Sequence, residues 1–459
     1  MTRWMVLGFA VTLGGAAGAE LPTLIDAAKN SDRSALRALL KPGVDVNAAV
    51  NATGGDGTTA LHWASYRDDL ESADLLIRAG ANVNAANDLG VTPLWTATQN
   101  GSAAMTRRLL EAGANPNAKL ASGETLVMTA ARSGKADVVE LLLAKGGDAN
   151  ARATRGQTAL MWAVAQQHPE VVKVLIARGA DIQARSKTWN EVMAVPPHGR
   201  LEYNKNIPQG GETALMFAAR YGDLASAKLL LAAGAKVNDT DAWGISATTL
   251  AAHSGFGDIV NLLLEKGADP NLAEPGFTAL HIAIMRRDEK MAAALLEHGA
   301  NPNTTLKTWT PTRRSSKDYH FEPALIGATP FWLAARFTQP NVMRMLMQRG
   351  ADPLFVQHSD YFLEARMQHR TEVATVLLAV MGMGGGAAWF QPPRTGREAL
   401  ALEAVKMLVE AGVDVNAANT DGRTALDAAQ TLKYEAVAAF LIEQGGRTGK
   451  GASTGSAGR

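Results

Sequence analysis

The chain has 459 residues, with 45 Lys plus Arg set against 44 Asp plus Glu, and no cysteine. So even a balance argues against nucleic acid as the main partner, because that binding leans on a basic surplus. The absence of cysteine excludes disulfides, thiol nucleophiles, thiolate metal sites and a lipid-anchored lipoprotein start.

Residues 1–19 form the first element. Arg3 gives a positive start, Trp4 to Leu13 is a short apolar run, and Ala17-Gly18-Ala19 suits a signal peptidase before Glu20. The pattern predicts a secretory signal cleaved after Ala19, too short to be a spanning helix. Its removal takes away Arg3 and leaves 44 basic against 44 acidic residues. No later window approaches about 18 uninterrupted apolar residues, so no membrane span is expected. A periplasmic or secreted location in a bacterium follows as the expectation.

From residue 20 onward a period dominates. Leu-rich stretches end at Gly43, Gly80, Gly113, Gly146, Gly179, Gly234, Gly267, Gly299, Gly350, Gly412 and Gly445, and the spacing from Gly80 through Gly179 is a constant 33 residues. A period of this length marks a stacked array in which each unit contacts only its neighbours. One elongated solenoid over residues 20–446 is expected, rather than several globular domains. In the unit Asp56 to Asn84, Thr59 is placed to cap a short helix, where its hydroxyl accepts from an orphan amide. A second helix is expected over roughly Asp69 to Arg78, burying Leu75, Leu76 and Ile77, with Gly80 supplying the left-handed closing residue.

This unit resembles an ankyrin repeat. The starts TALHWA (59–64), TPLWTA (92–97), TLVMTA (125–130), TALMWA (158–163), TALMFA (213–218), TALHIA (278–283), TPFWLA (329–334) and TALDAA (424–429) follow the family pattern, as do closes such as GANVN (80–84) and GADPN (267–271). The resemblance implies an all-α repeat solenoid of about eleven helix-turn-helix units with finger loops, two long finger insertions and one degenerate unit. Departures are local: Ser246 stands for the starting threonine, and Gln183 and Leu354 for the closing asparagine. The family histidine is kept at His62 and His281 and replaced by Trp95, Met128, Met161, Met216 and Trp332, which makes the ridge between units more apolar.

The period breaks at three intervals. Thr158 to Thr213 is 55 residues and Thr278 to Thr329 is 51, which places finger insertions at 185–209 and 306–325, both beginning Lys-Thr-Trp. An irregular unit covers 357–419. Thr375 reads as a degenerate helix start, with the second helix at Glu398–Val409; an alternative puts the first helix near Phe362 to Met367. Residues 447–459, rich in Gly and Ser, are expected to be a disordered tail.

The resemblance also implies where partners dock: on a concave surface of finger tips and exposed first-helix positions, seven and eight residues after the starting threonine. These are Tyr66, Arg67, Arg132, Arg220, Tyr221, His253, Arg286, Arg336 and Phe337, with Gln99, Asn100, Ser133, Ser254 and Met285 in the same rows. Arg and aromatic residues dominate interface energetics. Trp189 and Trp309, in the two insertions, either pack on their own repeats or anchor a ligand. Trp63, Trp162 and Phe217, four residues after the threonine, read as helix–helix core.

No catalytic motif is found: the nine histidines include no i, i+4 pair, and no phosphate-cradling Gly-x-x-x-x-Gly-Lys loop occurs. The sequence points to a non-catalytic scaffold that holds a protein partner, with no cofactor and no metal. The alternative is a small-molecule site between the inserted fingers, where Trp189, Trp309, Tyr203, His198 and His320 converge.

Overall fold

The computed structural model describes residues 23–41, 43, 45, 55–193, 204–308, 321–363, 368–385 and 396–449. The expected signal segment lies outside them. Among them are twenty-two α-helices, nearly all in pairs of one short and one longer helix, consistent with about ten or eleven repeats. Backbone contacts divide the chain into two compact units, residues 1–121 with 144–147, and residues 122–143 with 148–459.

The first unit shows the repeat in its regular form. Thr92 adopts extended backbone and its hydroxyl accepts from the Trp95 amide at 3.2 Å, so the helix Pro93–Asn100 starts there; Pro93 sits at the first helical position, where its missing N–H costs nothing. Gly101, at φ 70°, ends that helix in the left-handed region. Ser102 then caps Ala103–Glu111. The closing asparagines tie one repeat to the next: Asn84 Nδ2 donates to the Gly113 carbonyl at 3.1 Å and Asn84 Oδ1 accepts from the Asn115 amide at 2.7 Å.

The second unit repeats these devices. Asn150 donates to Gly179, Asn238 to Gly267, Asn271 to Gly299 and Asn303 to Gly350, at 2.8 to 3.3 Å. Gln183 keeps the same link to Gly234 at 2.9 Å across the longer interval, because an amide one methylene further out still reaches the carbonyl. The core is built from Leu and Ala of the first helices, joined by the fully buried Trp332, Phe321 and Phe331.

The expectation of an all-α chain needs correction. Thr188–Met193 (β1) pairs antiparallel with Lys205–Gly210 (β2), and Val356–Leu363 (β3) with Gln368–Thr375 (β4). Extended finger chains satisfy their backbone groups by pairing with each other, which a single-strand loop does not do. Of the alternative helix near Phe362 to Met367, Phe362 and Leu363 lie in β3 instead, and 364–367 lie outside the described residues. Thr375 instead caps Val376–Val380, accepting from the Leu378 amide at 3.3 Å, and the long helix Arg397–Glu410 follows.

Of the tail expected at 447–459, Arg447 to Gly449 are hydrogen-bonded to the last repeat, and 450–459 lie outside the described residues. The Arg447 amide donates to Asn416 Oδ1 and the Gly449 amide to Asp427 Oδ2, each at 2.8 Å. Asn416 is a closing asparagine, and its Oδ1 takes the amide of Arg447 as Asn84 Oδ1 takes that of Asn115.

Candidate functional site

Two repeats of the second unit share a local pairing. Glu124 and Glu212 each precede a starting threonine, and Arg132 and Arg220 lie seven residues after it. Two helical turns bring the arginine back over the helix start. Arg132 meets Glu124 at 3.0 Å, and Arg220 pairs with Glu212. Both arginines remain partly exposed, so these ion pairs orient side chains more than they stabilise the fold.

The position after Arg220 carries Tyr221, 44% exposed. Its ring stacks on Phe217, one turn earlier, with centroids 6.2 Å apart and planes 21° from parallel. Opposite stands the β1–β2 hairpin. Gly210, at φ 80°, closes its base, where a Cβ would collide with the Lys187 carbonyl and lie 2.8 Å from the Trp189 ring. Trp189 is thereby held against its own hairpin yet stays 42% exposed. The Arg155 guanidinium, from the preceding finger, lies 5.4 Å from the Trp189 ring centre, within cation–π range.

These groups line an open pocket of about 160 Å³. Arg155, Gln157, Ser186 and Trp189 line it together with Glu212, Phe217, Arg220 and Tyr221. Sites that engulf small molecules run from about 300 Å³ upward; this one has room for one side chain. Of the residues expected to converge between the two insertions, only Trp189 is described, since His198, Tyr203, Trp309 and His320 lie outside the described residues.

The other expected contact residues fall into three groups. Tyr66 is 48% exposed, edge-on to Trp63 at 5.8 Å. Arg67 donates from Nε to the Lys29 carbonyl at 2.9 Å, and Arg286 from Nη1 to the His253 carbonyl at 2.8 Å. These arginines satisfy the last carbonyls of a neighbouring repeat's helix, so their charge is already engaged; His253 is half-buried. Arg132 lies 5.0 Å from the Trp162 ring centre.

Arg336 and Phe337 are not surface residues, being 4% and 5% exposed, and Met285 is buried as well. Beyond them the chain folds back. The Gly384 carbonyl accepts from Arg336 Nε at 2.9 Å, and a Cβ on Gly384 or Gly385 would meet the Trp332 ring at 3.1 or 2.9 Å. Burial lowers the Arg336 pKa, while the charges of Glu322 and Glu372 pull it back up. An arginine so placed is a structural cation.

Phe217, expected in the helix–helix core, is buried and also lines the pocket. Sequence reasoning did not single out Arg155, Gln157 or Glu212. The signal for Glu212 was present, a glutamate before the starting threonine with an arginine eight residues further on, as at 124 and 132. Among the described residues, no group of three or more His, Asp or Glu is placed to hold a metal ion. No described helix is long and apolar enough to cross a membrane.

Comparison with known proteins gives the family of the chain. The family described as ankyrin repeats (3 copies) matches residues 24–120, 113–186, 215–306 and 250–357. The chain belongs to the ankyrin-repeat family. It is 40% identical over 94 residues to an ankyrin repeat-containing protein of Treponema pallidum (strain Nichols), covering 20% of this chain and 32% of that protein. It is 31% identical over 244 residues to an ankyrin repeat and KH domain-containing protein of Caenorhabditis briggsae, covering 53% of this chain and 9% of the other. The chain thus spans about a third or less of the length of these relatives. The solved human ASB11 ankyrin repeat domain is similar at 28% identity, with a TM-score of 0.43, over 54% of this chain and 98% of that one.

Proposed function

We propose that the protein is a non-catalytic scaffold, exported to the periplasm or beyond, that holds a protein partner on its first-helix stripe and the β1–β2 finger. Ankyrin repeats are protein-interaction frameworks, and a rigid array presents contacts already ordered, so little entropy is lost on binding. The observation that carries the reading is that Trp189 and Tyr221, the two most exposed aromatic side chains described in the second unit, line one pocket together with Arg220. Aromatic and Arg side chains held in place by their neighbours are the groups that anchor protein interfaces. The export assignment rests on Arg3, the apolar run to Leu13 and Ala17-Gly18-Ala19.

The test is a pull-down from periplasmic extract with the mature chain. A saturable protein partner, lost on Tyr221→Ala and Arg220→Ala, supports the reading; no saturable partner removes it. N-terminal sequencing of the exported protein is expected to begin at Glu20.

A further inference from the structure

Resting on that reading, we infer that the Trp189 pocket takes an aromatic side chain flanked by a carboxylate, on an acidic segment of the partner protein. Three rings face the space, those of Trp189, Phe217 and Tyr221. Its volume of about 160 Å³ admits one side chain and not a free ligand of ordinary size. Aromatic pairs contribute beyond the area they bury, through offset or edge-to-face contact. An aromatic occupant therefore gains more here than an aliphatic one.

Charge decides what accompanies the ring. The pocket holds two guanidinium groups and one carboxylate. Glu212 is paired with Arg220, whereas Arg155 has no carboxylate partner among the described residues and rests over the Trp189 ring. Arg155 thus carries a positive charge without a carboxylate partner, beside the exposed Trp189 ring. A carboxylate next to the entering ring pairs with Arg155, while a basic residue meets that same unpaired guanidinium. Like-charge juxtaposition across an interface is strongly unfavourable, and rim charges act mainly on specificity and association rate.

The experiment uses the full mature chain and a displayed library of random peptides. Selected peptides are expected to carry an aromatic residue beside Asp or Glu. A fluorescein-labelled selected peptide is expected to bind at least about tenfold more weakly to Trp189→Ala, and to lose a similar factor when its acid is changed to the amide. Arg155→Gln, which removes charge at an exposed site, keeps the result interpretable if Trp189→Ala disturbs the hairpin, and raised salt weakens wild-type binding. Selected peptides that are basic, or that bind the Trp189→Ala and Arg155→Gln chains as tightly as wild type, overturn this inference and leave the scaffold reading standing. If the wild-type array selects no peptide at all, this inference fails, and the pull-down decides the scaffold reading separately.

Discussion

Trp332 Nε1 donates to the buried Ala374 carbonyl at 3.1 Å, and the geometry repeats what a histidine does elsewhere in the chain. In the first unit His62 Nε2 lies 2.9 Å from the Val91 carbonyl. Val91 and Ala374 both immediately precede the threonine that starts the next first helix. An indole thus makes the bridge between repeats where the family histidine is missing. The link spans a 42-residue separation and fixes Thr375 as a repeat start despite the hairpin in front of it.

Removing that bridge is expected to cost stability. Trp332→Phe leaves the Ala374 carbonyl buried without its donor, a penalty of about 1–3 kcal/mol. Denaturant unfolding of wild type and variant measures it. An unchanged midpoint contradicts a structural role for the indole N–H.

Acid is expected to weaken the second unit through His281. Its Nδ1 accepts from the Thr278 amide at 3.1 Å, and burial pushes its pKa down to about 4, opposed by the Thr304 and Ala328 carbonyls. The folded-state value lies below the unfolded one of about 6.5, so the unfolded chain binds the extra proton. The contribution is complete above pH 6.5 and lost as pH falls toward 4, by up to about 3 kcal/mol at 1.36 kcal/mol per unit. Melting temperature measured from pH 7.5 to 4.5 is expected to fall more steeply in wild type than in His281→Gln. Parallel curves contradict the assignment.

Substitutions along the first-helix stripe are expected to separate by burial. Arg220→Ala and Tyr221→Ala, at partly exposed side chains, are expected to change stability by no more than about 0.5 kcal/mol. Arg336→Ala removes a buried cation facing Glu322, Glu372 and the Gly384 carbonyl, and is expected to cost about 3 kcal/mol or more. Thermal unfolding of the three variants distinguishes them, and equal shifts contradict the division.

Gly210→Ala is expected to distort the base of the β1–β2 hairpin, because the added Cβ meets the Lys187 carbonyl and the Trp189 ring. Trp189 then leaves its place beside Arg155, while the helix pair that follows keeps its own caps. Hydrogen exchange is expected to rise in 188–193 and 205–210 with little change in Ala214–Tyr221. Protection unchanged in the hairpin argues against it.

The fold was legible in the sequence because its signals are local and recur: a threonine cap, a left-handed glycine and a bridging asparagine at fixed offsets. Where the offsets held, so did the helices; the expected second helix from Asp69 to Arg78 is Leu70–Arg78 with Asp69 as its cap. The site was less legible because exposure of a first-helix residue depends on what the following chain does. Arg220 and Arg336 occupy the same offset, yet one faces a pocket and the other lies beneath the Gly384-Gly385 turn. Nothing near Arg336 in sequence announces that cover, since it arrives 48 residues later. The strands were missed for a similar reason: β3, VQHSDYFL, has mixed polarity and is fixed as a strand by its partner β4.

The most direct measurement is photo-crosslinking in cells, with a crosslinking residue in place of Tyr221 and, in a separate strain, in place of Ile442. Both positions are exposed, but only Tyr221 lines the pocket. The account predicts a discrete crosslinked protein from the Tyr221 position and none from Ile442. Equal capture at both positions, or capture from Ile442 alone, would contradict it.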